Sequence, residues 1–170
     1  RRRIDIGQAF STDKGRTWTP VDLVGSFDGQ NHKISGLTCP LFGDMQGIVK
    51  DLEVEGNISF DGAEATWTKG KVNGMGILAQ YLKHELNSDA KVQNVTTSGS
   101  LTITNAAIDH AQYVGGICGG TNGVPVTGCA NNAAITVNGD ENAGLHQLGL
   151  CDSHLGIAQI QVGDLSLSVL

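Results

Sequence analysis

Apolar positions recur along this chain with a period much longer than a helical turn or a strand pleat. A small residue followed by two apolar ones stands at Pro40-Leu41-Phe42, Gly76-Ile77-Leu78, Gly116-Ile117-Cys118 and Gly149-Leu150-Cys151, at intervals of 36, 40 and 33 residues. Seven positions beyond the anchor in the first, third and fourth units stands a glycine, at Gly47, Gly123 and Gly156. A second block follows, VKDLEVEGNI from Val49, VQNVTTSGSL from Val92 and VTGCANNAAI from Val126. It aligns three columns: Val49/Val92/Val126, Leu52/Val95/Cys129 and Ile58/Leu101/Ile135. Each unit closes on a short alternating run: Ile58-Ser59-Phe60, Leu101-Thr102-Ile103, Ile135-Thr136-Val137 and Leu165-Ser166-Leu167. Alternation of this kind turns every second side chain to one face of a strand.

Three short strand-like pieces per unit, none able to bury its apolar face alone, predict stacking of unit on unit. Equivalent strands then pair in parallel and each column becomes an aliphatic ladder. The expected fold is therefore all-β, a right-handed parallel β-helix (solenoid) of about four coils, the handedness following the rule for parallel crossovers. The chain reads as one segment, 1–170, with an entry coil over 1–39 and repeat units over 40–75, 76–115, 116–148 and 149–170. A sandwich of short strands is the rival fold, and it gives no reason for the long-range columns. The fourth unit keeps the first two columns at Ile157 and Ile160 and slips at the third, which predicts a diverged terminal coil or the start of a cap.

Composition agrees with a turning chain of small side chains. There are 24 glycines, about twice the usual share of roughly 7%, with 5% aromatic and 16% charged residues. The formal charge of −6 is spread thinly, so no basic stripe suits a nucleic-acid partner. No apolar run reaches the length of a membrane span. Arg1-Arg2-Arg3 reads as the cut edge of a longer polypeptide.

The string Gly25-Ser26-Phe27-Asp28-Gly29-Gln30-Asn31-His32-Lys33-Ile34-Ser35-Gly36-Leu37, preceded by Trp18-Thr19-Pro20-Val21 and followed by Leu41-Phe42-Gly43, resembles the opening coil of the GLUG-motif β-helix family. Val114-Gly115-Gly116-Ile117-Cys118-Gly119 resembles that family's later V-G-G-L-x-G repeat, and Asn73-Gly74-Met75-Gly76-Ile77-Leu78-Ala79 does so loosely. Asn31 replaces a customary glycine, a change that a left-handed turn tolerates. Members occur in large bacterial surface and secreted proteins, including adhesin-like proteins and the non-catalytic N-terminal region of IgA-specific metallopeptidases. The resemblance implies a β-helix and a secreted or cell-surface setting; it implies no ligand.

Candidate chemistry is sparse. Asp28 with His32 pairs an acid with an imidazole, but the family pattern makes the same string a structural turn. His84, His110, His146 and His154 show no metal-ligand spacing. The glycine-rich segments at Gly74 and Gly115 coincide with the repeat anchors and precede strands, not the helix that a phosphate loop requires. Asp51, Glu53 and Glu55 alternate on one face, and two of them at the right separation would suit glycoside hydrolysis. Their equivalents in later units are Asn94, Thr96 and Ser98, then Gly128, Ala130 and Asn132, so no acidic ladder persists. Cys118 and Cys151 share a column and are expected as buried free thiols.

The expected function is a non-catalytic module for adhesion or ligand binding, to a glycan or a host or matrix protein, or a rigid spacer. A polysaccharide-degrading β-helix enzyme, lyase or glycoside hydrolase, is the alternative; neither cofactor nor metal is implied. The best candidate site lies where the repeat is interrupted. Sixteen residues separate Gly76 from Val92, against eight to ten in the other units. The insert Gln80–Leu86 has helix formers enough for one or two turns. Together with the Asp61–Asn73 excursion it supplies Trp67, Lys69, Tyr81 and His84 as ligand-binding candidates, rings and donors together.

Overall fold

A computed structural model of the chain describes residues 3–5, 18–61, 74–84, 89–106, 113–139, 159–162 and 165–168. Among these the fold is all-β, without a helix. The strands are β1 (Arg3–Asp5), β2 (Val21–Leu23), β3 (Ser26–Leu37), β4 (Phe42–Met45), β5 (Ile48–Asp61), β6 (Gly74–Met75) and β7 (Ala79–Lys83). There follow β8 (Lys91–Ala106), β9 (Tyr113–Val114), β10 (Cys118–Asn122), β11 (Val126–Thr127), β12 (Ala130–Gly139), β13 (Gln159–Val162) and β14 (Leu165–Ser168). One sheet runs β1-β3-β5-β8-β12-β13-β14, with β11 also on β8; a second runs β10-β7-β4-β2; β6 and β9 form a small third. All pairings are parallel except the last, β13 with β14.

The larger sheet reproduces the sequence columns. Val49 pairs with Val92 and Val92 with Val126. Leu52 pairs with Val95, whose N–H meets the Cys129 sulfur at 3.4 Å. Ile58 pairs with Leu101 and Leu101 with Ile135. These aliphatic side chains are buried and join those of the four-stranded sheet in a single core cluster, with Cys129 packed against it half-buried. The second block and the closing run are not separate pieces, since β5 and β8 each run through both without a break.

Direction changes inside these long strands where left-handed residues stack. Gln30, Asn31, Asp51 and Asn94 have φ of 50°, 58°, 52° and 52°, and Gly128 has 63°. Asp51 follows the Lys50 pair and precedes the Leu52 pair, and Asn94 holds the same place in β8, so the left-handed positions lie on adjacent strands. Asparagine and aspartate accept this conformation because their short polar side chains bond locally. Asn94 Nδ2 donates to Asp51 Oδ1 at 2.9 Å, binding one corner to the next.

Three expectations need correction. In the four-stranded sheet Phe42 pairs with Ala79 and Ala79 with Cys118, one residue away from the Phe42/Leu78/Cys118 alignment that the anchors predict. Ile77, Leu78 and Ala79 are all fully buried, so apolar character does not mark the phase. The frame is set by the backbone, with Leu41 N–H on Ile77 O at 3.1 Å and Phe42 N–H on Leu78 O at 2.8 Å. In the fourth unit Ile160 pairs with Ile135, in the third column and not the second, and Leu165-Ser166-Leu167 folds back antiparallel on β13. Finally, Gln80, Tyr81, Leu82 and Lys83 belong to β7 and form no helical turn. Ile157, Cys151, Glu85 and Leu86 lie outside the described residues.

Candidate functional site

Of the four ligand-binding candidates, Trp67 and Lys69 lie outside the described residues, whereas Tyr81 and His84 lie at the end of the four-stranded sheet. β7 stands between β4 and β10, and Tyr81 is held between Asp44 on one neighbour and Gly120 on the other. Tyr81 and Lys83 are half-buried while His84 is exposed just past the strand. Lys83 Nζ forms an ion pair with Asp44 Oδ2 across the strands. The Asp44 N–H in turn donates to Asp22 Oδ1 at 2.8 Å. Pairing leaves Lys83 and Asp44 close to neutral as a unit, with Tyr81 opposite Asp44 in the register and His84 just past the strand end. Such a surface offers ring area, donors and acceptors, the chemistry of recognition.

Asp22 and Asp44 were missed in the sequence. For Asp44 the reason is the one-residue frame shift, since the anchors set it opposite Gln80 and the backbone sets it opposite Tyr81; Asp22 lies on β2, which no anchor includes. The insert itself falls later than the sequence suggested. Ten positions separate Leu82 from Val92, against four from Met45 to Val49 and five from Thr121 to Val126, although Met45, Leu82 and Thr121 are paired in register. The extra residues therefore follow β7, and the candidate rings sit where the chain leaves the regular sheet.

The FDG-x-x-H string is bound up in its own turn. Asp28 Oδ1 accepts the Gln30 N–H at 3.0 Å and Asp28 Oδ2 takes the Lys50 ammonium at 2.8 Å. His32 Nδ1 lies 3.0 Å from Gly29 O, an acceptor, so this contact takes its hydrogen from Nδ1. The Lys50 ammonium, followed by the Gln30 amide, holds the Asp28 carboxyl below its usual range, and Asp28 raises Lys50. Beyond the corner Glu55 pairs with Lys33, and Asp51 at the corner lies 3.8 Å from Lys50. Asp28, Asp51 and Glu55 thus sit against cations or amides. Among the described residues no group of three or more His, Cys, Asp and Glu is placed to hold a metal ion.

Cys118 is buried, Cys39 and Cys129 are half-buried, and all three are free thiols. Cys39 Sγ donates to Trp18 O at 2.7 Å, and the Trp18 indole N–H donates to Leu41 O at 2.9 Å. Burial pushes the Cys39 thiol up, so these sulfurs act as packing groups. Set against known proteins, the chain matches no family model, no curated protein and no solved structure.

Proposed function

We propose that this chain is a parallel β-helix segment of the GLUG type, a non-catalytic module of a secreted or cell-surface bacterial protein that binds a glycan or a host or matrix protein. The observation that carries the reading is the shared order of the units in two sheets. β4, β7 and β10 are neighbours in one, and β5, β8 and β12 are neighbours in the other. A chain passing from one sheet to the other in each unit, always in parallel, is what a solenoid requires. The resemblance of the FDG-x-x-H-x-I-x-G-L string to the family's opening coil supplies the cellular setting. The insert after β7 and the Tyr81, Lys83 and His84 side chains mark the binding side, because loops inserted on one face of a repeat array are where such proteins carry function.

The test is retention of immobilised glycans and matrix proteins by the wild-type chain and by a Trp67→Ala, Tyr81→Ala variant. Loss of about 1–3 kcal/mol of binding free energy at an unchanged thermal midpoint is expected. Retention of nothing by the wild type makes the chain a spacer. A sharp fall in midpoint with undiminished affinity per folded molecule shows that the rings close the core and bind nothing.

A further inference from the structure

We infer that Asn122-Gly123 is a site of spontaneous deamidation, where the backbone rearranges with water as the only co-reactant. The reaction begins when the Gly123 amide nitrogen attacks the Asn122 side-chain carbonyl carbon. A new C–N bond closes a succinimide ring, the bond to Nδ2 breaks, and ammonia leaves with the proton given up by the amide. Water then adds to one of the two ring carbonyls and opens the ring. The product is aspartate, or isoaspartate with the main chain rerouted through the β-carbon, and the net change is loss of ammonia and gain of water. Glycine on the carboxyl side presents no Cβ to hinder the attack.

Structure separates this asparagine from the other described one in the same context. Asn122 is the last residue of β10, exposed and paired in register with Lys83. Gly123 is also exposed, has left the strand at φ +69°, and among the described residues a Cβ built on it would meet only His84 Cβ, at 3.9 Å. The backbone thus has room to bring nitrogen and carbonyl together. Asn138 is exposed as well and sits at a register shift near the end of β12, but Gly139 is still paired with Ala106, whereas Gly123 lies past its strand. The pairing of Gly139 restrains the attacking nitrogen, so ring closure there waits on the opening of that pair. The product at position 122 adds a carboxylate beside Lys83 and His84, and in the isoaspartate form a methylene at the turn into β11.

The experiment incubates the folded chain above neutral pH and follows peptides by mass. The peptide holding Asn122 is expected to gain one dalton about fivefold or more faster than the one holding Asn138, with isoaspartate identified by fragmentation. In denaturant the two rates should converge. Asn122→Gln should abolish the change at this peptide and leave the fold intact. No gain at position 122, or a gain at Asn138 as fast in the folded chain, overturns the inference; an unchanged ratio in denaturant shows that the fold has no part in it.

Discussion

The two sheets answer differently to the same repeat. In the larger one β3, β5 and β8 each carry a left-handed residue at a corner, and the pairing Val49/Val92/Val126 is carried without slip through Ile58/Leu101/Ile135. In the smaller one the strands are short, buried residues stand side by side, and the register departs by one from the pattern of apolar residues. Special backbone conformations count residues, and hydrophobicity by itself does not. The most informative tests are therefore those that act on the turns.

The largest expected effect is Gly99→Ala against Gly123→Ala. Gly99 lies within β8 at φ +104°, and a Cβ there would fall 2.1 Å from Gly56 O, a backbone atom of the adjacent strand. Gly123 follows the last residue of β10 at φ +69°, and among the described residues a Cβ there would come no closer than 3.9 Å to a neighbour. The first substitution should cost about 3–5 kcal/mol because β5 and β8 must part, the second about 1 kcal/mol for the left-handed backbone alone. Urea unfolding of both variants measures the difference; equal costs would mean that close approach of the strands does not hold the larger sheet.

Much of this architecture was legible in the chain. The aligned columns and the turns at Gly47 and Gly123 could be read because a glycine at a fixed offset marks where the backbone must turn; the corners at Asp51, Asn94 and Gly128 could not, since Asp51, Glu53 and Glu55 also fit the alternation of one strand face. The phase of β7 could not be read, since Ile77, Leu78 and Ala79 satisfy every register equally. Nor could the return of β14, because the alternation of Leu165-Ser166-Leu167 suits a parallel and an antiparallel partner alike. The candidate site inherited both outcomes: Tyr81 and His84 were visible as interruptions of the repeat, whereas Asp44 depends on the register that the pattern missed and Asp22 lies on β2, which no anchor includes.

An intermediate effect is expected where the inner face of the larger sheet turns polar. Ile34 pairs with Val54, Val54 with Thr97 and Thr97 with Asn131, so one column passes from apolar to polar while it stays buried. Thr97 Oγ1 donates to Asn131 Oδ1 at 2.9 Å, and that oxygen also accepts the Ala133 N–H at 3.0 Å. Asn131→Ala should cost about 2 kcal/mol, because it leaves the threonine hydroxyl buried without its acceptor. Thr97→Val should cost about 1 kcal/mol, as the asparagine oxygen keeps the Ala133 amide. The double variant Thr97→Val, Asn131→Ala should lose less than the sum. Strict additivity in urea titrations would show that the two side chains do not act as a pair.

The smallest effect belongs to the outer face, at Asp28 and Lys50, 2.8 Å apart beside the first left-handed corner. The folded chain lowers the Asp28 pKa, chiefly through Lys50 and next through the Gln30 amide, so its contribution is present above the unfolded value of about 3.9 and is lost as pH falls through the folded one. Lys50 is raised, chiefly by Asp28, so its contribution is present below the unfolded value of about 10.4 and is lost as pH rises through the folded one. The stability difference between wild type and Lys50→Met should thus be flat from about pH 5 to 9 and shrink at both extremes. Exposure makes it small and lets salt screen it. Salt also distinguishes the two partners of Asp28: it weakens the ammonium contribution and largely spares the short hydrogen bond from the Gln30 N–H. In high salt, then, Lys50→Met should match the wild type, while Asp28→Asn, which lacks the charged acceptor for that amide, should remain less stable. If salt erases both differences, the carboxylate holds its corner only through Lys50, and the turn owes its shape to Gln30 and Asn31 alone.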